Sequence, residues 1–342
     1  MKQSAVLICP GRGTYNAPEL GYLARYHAGK LAVFDAYRAT QGQPTISALD
    51  GAAKFSGRVH TTGDTASGLI YAASILDAQA ISDDFDIVAA TGNSMGWYTA
   101  LAAGGAVSPV AGFQIVNTMG RLMQAGMIGG QVLYPFVDED WRPIAGKQAA
   151  LLALVAEIDQ RKGHALAASI HLGGMLVVAG DEAGLLAFAD SVPAFDRYPM
   201  RLPNHAAFHT ALQAPIAAEG RSKLGADLFT GPDIPMIDGR GAIWWPGATD
   251  VAALRAYTLG AQVVETYDFT KAIQVAAREF APDVFIVTGP GGTLGGAIAQ
   301  SLIEIEWQGI SDKAAFQNRQ STNPVLISMG REDQRQIAIK RS

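Results

Sequence analysis

Apolar and polar positions along this chain fall into two alternating kinds of block. Short apolar runs at 5–9, 85–90, 235–238 and 284–287 have the length and composition of buried strands. Between them, stretches at 65–76, 97–103, 251–259 and 268–280 carry apolar residues at helical spacing. Strand-helix alternation of this kind predicts a mainly parallel sheet flanked by helices, with functional groups on the loops beyond the C-terminal strand ends. The middle of the chain reads differently. A strand at 131–137, a helix at 147–161, strands at 165–170 and 175–179, a helix at 181–190 and a strand at 198–202 follow in the order βαββαβ, the ferredoxin-like pattern. The expected organisation is therefore a core made of 1–128 and 203–306, a small ferredoxin-like subdomain at 129–202, and a more polar extension at 307–342 that wraps the core or serves an interface.

The strand at 85–90 ends in Gly92-Asn93-Ser94-Met95-Gly96 and passes directly into a small-residue helix. Gly-x-Ser-x-Gly between a strand and a helix is the nucleophile-elbow context of an α/β-hydrolase-like core. Two glycines let strand and helix approach closely, and the helix N-terminus brings N–H groups to where an oxyanion would form. Ser94 is the candidate nucleophile. Other glycine-rich turns lack such chemistry. Gly11-Arg12-Gly13 does not complete a dinucleotide fingerprint, because Asn16 stands at the third glycine position, and Thr288–Gly292 lacks the Lys-Ser/Thr of a phosphate loop.

With 342 residues, 49% hydrophobic and 17% charged, the chain can bury a large core. A net charge of −5 gives no reason to expect nucleic acid as a partner; the basic residues are scattered, apart from Arg331, Arg335, Lys340 and Arg341 near the end. One cysteine, Cys9, excludes an intrachain disulfide framework and suits a reducing compartment. The N-terminal apolar run is too short for a signal peptide, and no stretch approaches a membrane span. A cytoplasmic location is the expectation.

A serine nucleophile needs a base. His27, His60 and His164 stand in polar settings expected to be exposed, and no histidine pair has metal-ligand context. His205 and His209 both follow the inserted unit, and the residues alone do not choose between them.

Several segments in order resemble the malonyl-CoA:acyl-carrier-protein transacylase family, which includes the acyltransferase domains of fatty acid and polyketide synthases. They are Pro10-Gly11-Arg12-Gly13, Gly92-Asn93-Ser94-Met95-Gly96-Trp97-Tyr98, Met119-Gly120-Arg121-Leu122-Met123-Gln124, Ala207-Phe208-His209 and Thr288-Gly289-Pro290-Gly291. The resemblance covers about residues 4–305. It implies ping-pong acyl transfer, in which Ser94 attacks the thioester of an acyl-CoA with His209 as general base. The acyl group then passes to the phosphopantetheine thiol of an acyl carrier protein. The resemblance also implies an oxyanion hole from the backbone N–H groups of Met95 and Arg12, with the His oriented by a backbone carbonyl. No bound cofactor is implied beyond coenzyme A as substrate and phosphopantetheine on the acceptor.

Departures from the family pattern bear on the acyl group. Malonyl-using members carry an arginine where this chain has Met119, and Arg121 matches a second basic residue that is usually not the carboxylate ligand. Burying a carboxylate without its partner costs about 3–5 kcal/mol, whereas methionine offers an adaptable apolar wall. Asn93 replaces a His, Trp97 a Glu, and Ser67 stands where the family often has Gln. With Phe208, these residues are expected around the acyl pocket and point to an uncharged acyl group. The competing readings are restoration of the charge pair by Arg12 or Arg121, a thioester hydrolase on the same fold, and a non-catalytic carrier-protein docking module.

Overall fold

A computed structural model describes residues 2–339; Lys340 and Arg341 of the basic end lie outside them. Among the described residues eleven strands form two sheets: β1 (Gln3–Cys9), β2 (Phe85–Gly92), β3 (Gly130–Pro135), β4 (Leu166–Leu172), β5 (Met175–Gly180), β6 (Met200–Arg201), β7 (Met236–Ile237), β8 (Ile243–Trp244), β9 (Tyr267–Asp268), β10 (Val284–Val287) and β11 (Leu326–Ser328). The large sheet runs β11-β10-β1-β2-β7-β8 and is parallel except at its β7–β8 edge. β1 lies at its centre with Ala5 to Cys9 buried, which is why its sequence is an unbroken apolar run.

Behind this sheet the Gly63–Ala80 helix is buried on nearly every side and packs against the Pro109–Ala125 helix. Their approach depends on missing side chains: a β-carbon on Gly120 would lie 2.5 Å from the Gly63 carbonyl oxygen. Ser108 caps the second of these helices by accepting from the Ala111 N–H, and Pro109 fits its first turn.

The small sheet runs β6-β3-β5-β4-β9, with its first four strands antiparallel. The Lys147–Asp159 and Glu182–Ser191 helices complete the βαββαβ order and share a separate hydrophobic cluster around Phe136, Val155, Leu176 and Phe188. One strand comes from outside the 129–202 segment. β9 pairs in parallel with β4, Ile170 opposite Tyr267, and stitches the small sheet to the core.

Three expectations are corrected. The segment after residue 306, expected as an extension that wraps the core or serves an interface, supplies part of the core: β11 completes the large sheet beside β10 and the Glu332–Ala338 helix sends Arg335 inward. His27 is buried, not exposed: its Nε2 lies 2.7 Å from Asp77 Oδ1, which Arg335 Nη2 also meets at 2.7 Å, while Tyr22 donates to Oδ2. Burial pushes the Asp77 carboxyl up, but hydrogen bonds from His27, Arg335 and Tyr22 outweigh it and leave the group below its ordinary value. His60 is likewise buried, facing the Leu49 carbonyl at 3.0 Å and stacked on Phe55. Its polar sequence neighbours surround a ring that packs inward.

Candidate active site

The elbow forms because β2 ends where the Gly96–Ala103 helix begins. A β-carbon on Gly92 would fall 2.2 Å from the Gly96 carbonyl carbon, and one on Gly96 would fall 2.1 Å from the Cys9 oxygen. No side chain fits at either position. Ser94 consequently takes a left-handed backbone, φ 54°, a strained conformation that lifts Oγ out of the turn. Met95 begins the helix behind it. The Pro10–Gly13 turn lies directly against this peptide, since a β-carbon on Gly11 would stand 2.4 Å from the Asn93 oxygen. The backbones of Met95 and Arg12 thus flank Ser94 from two sides.

Ser94 Oγ is 2.7 Å from His209 Nε2, and His209 Nδ1 is 2.7 Å from the backbone oxygen of Gln262. A carbonyl only accepts, so Nδ1 carries the proton and Nε2 presents its lone pair to the serine. His209 itself has φ 58° and donates its backbone N–H to Val263 O. Gln262 is a member of the site that the sequence reading did not single out. Besides anchoring the imidazole, its side chain donates to Ser94 O at 3.1 Å and accepts from Tyr98 OH at 3.1 Å. No motif marks it; a polar residue in the apolar stretch 261–264 was the only signal.

Burial pushes the His209 imidazole down to about 4, against a smaller upward contribution from the Gln262 carbonyl. His209 is therefore neutral and competent as a base well below the ordinary histidine range. We expect the acylation kcat/KM to stay level from pH 8 to about 5 and to fall with protonation only near pH 4. A decline centred near pH 6.5 in a rate-pH profile would contradict this arrangement.

Two cavities adjoin the elbow, one holding Ser94 and the other reaching Asn93 beside it. The first is a narrow pocket of about 30 Å³ lined by Ser67, Tyr98, Val116, Met119, Met123, Phe208 and Val263 with the reactive pair. Met119 is fully buried, and its thioether rests over Gly220, where a β-carbon would come within 2.6 Å of Sδ. The second is a cleft of about 590 Å³ between the core and the small sheet, and Arg12 borders both. Arg12 Nη2 donates to Thr61 O and Asn204 O, each at 2.9 Å, and the guanidinium lies 5.4 Å from the Phe208 ring centre. Among the described residues it is the only lysine or arginine lining the narrow pocket. Burial brings it down to about 10, so it remains charged at neutral pH.

Three residues expected at the acyl pocket stand elsewhere. Arg121 is exposed and reaches toward Gln41, because two residues along a helix from Met119 turns a side chain to the opposite face. Asn93 lines the wide cleft, not the narrow pocket that holds Ser67. Trp97 points into the core, where its Nε1 donates to Thr258 Oγ1 at 3.0 Å. Among the described residues no three His, Cys, Asp or Glu side chains gather where they could hold a metal ion, and no helix is long and apolar enough to cross a membrane.

No protein-family model matches the chain. It is 29% identical over 208 residues to the polyketide synthase GfsB of Streptomyces halstedii, a match covering 59% of this chain and 3% of that much longer protein. It is 25% identical over 227 residues to the malonyl CoA-acyl carrier protein transacylase of Salmonella typhimurium, covering 66% of this chain and 69% of that one. In fold it resembles the acyl-carrier-protein S-malonyltransferase of Burkholderia pseudomallei, with a TM-score of 0.73 at 20% identity over 98% of both chains. By sequence over 66% of its length and by fold over nearly all of it, this chain is similar to the malonyl-CoA:acyl-carrier-protein transacylases and polyketide-synthase acyltransferases, the family its motifs resemble.

Proposed function

We propose that this chain is an acyltransferase that moves an uncharged acyl group from acyl-CoA, through an ester on Ser94, to the phosphopantetheine thiol of an acyl carrier protein. The observation that carries it is the Ser94–His209 pair, 2.7 Å apart, at the mouth of a pocket walled by Met119. Similarity to a malonyl CoA-acyl carrier protein transacylase supports both the reaction class and the carrier protein as partner.

Ser94 Oγ attacks the thioester carbonyl while its proton passes to His209 Nε2. The developing oxyanion lies toward the N–H groups of Met95 and Arg12. Collapse breaks the C–S bond, and the imidazolium returns its proton to the departing coenzyme A thiolate. The carrier thiol then attacks the ester by the same steps in reverse, with His209 as base and then as acid. The helix N-terminus and the two backbone donors serve the oxyanion, while the Gln262 carbonyl takes the place of a carboxylate behind the histidine by accepting from Nδ1–H. The buried, protonated Cys9, whose thiol burial pushes up to about 12, takes no part and fits a reducing cytoplasm.

The uncharged acyl group follows from the pocket's walls. The one cation at its rim, Arg12, commits its Nη2 to two carbonyls and lies over the Phe208 face, while its buried Nε has no hydrogen-bond partner. A malonyl carboxylate would meet an apolar wall at Met119, where no cation stands, and would have Arg12 alone to pair with. Intact-protein mass after brief incubation with malonyl-CoA, acetyl-CoA and longer acyl-CoAs tests the reading. Adducts from uncharged donors alone are expected. A malonyl adduct formed as readily would show that Arg12 supplies the carboxylate contact. Release of free CoA with no adduct, and no dependence on carrier protein, would favour the hydrolase.

A further inference from the structure

The segment that carries His209 is tied to the small sheet by a line of side chains that acyl transfer itself leaves unused. Ser169 Oγ donates to the Phe208 carbonyl at 2.8 Å. Ser169 stands where β4 slips register against β5, between Ala168 and Ile170, and an irregularity of this kind re-aims a side chain that regular alternation would point elsewhere. Gln131 Nε2, on β3, donates to Ser169 Oγ at 2.6 Å, and Gln131 Oε1 meets His205 Nδ1 at 2.7 Å. Gln131 and Ser169 are both buried.

The terminal carbonyl sets the direction of every bond in the line. Phe208 O can only accept, so Ser169 gives it the hydroxyl proton and takes a hydrogen bond from the Gln131 amide nitrogen. That turns the amide oxygen toward His205, whose Nδ1 must carry the proton. The remaining nitrogen, Nε2, then holds a lone pair. Among the described residues none donates a hydrogen bond to it, and the ring forms part of the lining of the wide cleft. Burial, with Arg12's positive charge behind it, pushes this imidazole down to about 3 and keeps it neutral across the working pH range.

The cleft walls are largely apolar, with Leu133, Leu172, Val177 and Leu202 among them. A fixed acceptor on such a wall suits an aliphatic chain interrupted by N–H groups. We propose that His205 Nε2 accepts a hydrogen bond from an amide N–H of the pantetheine arm bearing the thioester, and so sets the register of that arm against Ser94. The inference rests on the acyl-transfer reading and assigns His205 as a positioning residue. Coenzyme A and the carrier protein present the same arm, so one contact serves donor and acceptor in turn.

The test measures His205→Phe and His205→Gln beside wild type with two acetyl donors, acetyl-CoA and the amide-free S-phenyl thioacetate. His205→Phe keeps a ring and loses the acceptor. The ratio of kcat/KM for acetyl-CoA to that for S-phenyl thioacetate is expected to fall about fivefold to tenfold, carried by KM. His205→Gln, whose amide oxygen can accept, is expected to recover part of it. On the acceptor side, release of the acetyl group to the phosphopantetheinylated carrier protein is compared with release to 2-mercaptoethanol. A ratio that falls on one side only supports the contact and assigns it to coenzyme A or to the carrier. Unchanged ratios on both sides overturn the proposal and leave His205 as a strut of the small sheet. If wild type forms no acyl-Ser94 with either donor, the acyl-transfer reading fails and takes this inference with it, an outcome distinct from unchanged ratios.

Discussion

Ser94→Ala is expected to abolish the acyl adduct and to lower transfer by about 10³-fold or more. The loss is large because Ser94 supplies the bond that forms and is the hydroxyl paired with His209. Alanine loses only the hydroxyl, and the elbow's strained backbone is imposed by the close contacts of Gly92 and Gly96 rather than by the serine. The variant should therefore fold, and its thermal midpoint should stay close to that of wild type. His209→Ala should cost a similar factor, and the double variant should be scarcely slower than either, because the two groups act as one unit. An adduct of unchanged mass and rate in Ser94→Ala would place the nucleophile elsewhere.

Met119→Arg is expected to raise the ratio of malonyl to acetyl acylation by about 10²-fold or more. Met119 is fully buried beside Ser67 and Val116 on the pocket's floor, so a guanidinium there would face the acyl group directly. The missing side chain of Gly220 is what admits the Met119 thioether, and the arginine stem would take the thioether's place. The substitution has a cost in the free enzyme. An unpaired buried charge lowers stability, so the thermal midpoint should fall without ligand and recover in part with malonyl-CoA, which supplies the missing carboxylate. If the ratio does not move, Arg12 already handles the carboxylate, and the apolar floor has no bearing on acyl choice.

How legible each part was follows from how local its cause is. The elbow could be read because its requirements sit within five residues: glycines at 92 and 96 are the only residues that avoid the Gly96 and Cys9 backbones. The 5–9 and 284–287 strands were visible because central parallel strands are apolar on both faces. The βαββαβ order was visible from spacing, but β9 was not, because a two-residue strand leaves no periodicity to detect. The choice between His205 and His209 was not available from the residues themselves. It turns on the Gln262 carbonyl, a backbone atom, and any residue at 262 would supply one. Arg121 was placed by motif and missed by helical phase, since two residues from Met119 lies on the far face. The burial of His27 was hidden for another reason: its partners Asp77 and Arg335 are far away in sequence and reach it through different layers of the fold.

The join between Asp77 and Arg335 also sets an order of assembly. The small sheet gathers four of its strands from one nearly continuous stretch and has its own hydrophobic cluster, so it can condense while later residues are still being synthesised. The large sheet cannot finish so early. Its outermost parallel strand, β11, and the cation that balances Asp77 both arrive after residue 325, although the nucleophile and the strand beneath it were made long before. The large sheet thus closes only once residues 326–335 have been made, and a protein halted before Arg335 would hold a buried carboxylate short of its arginine partner.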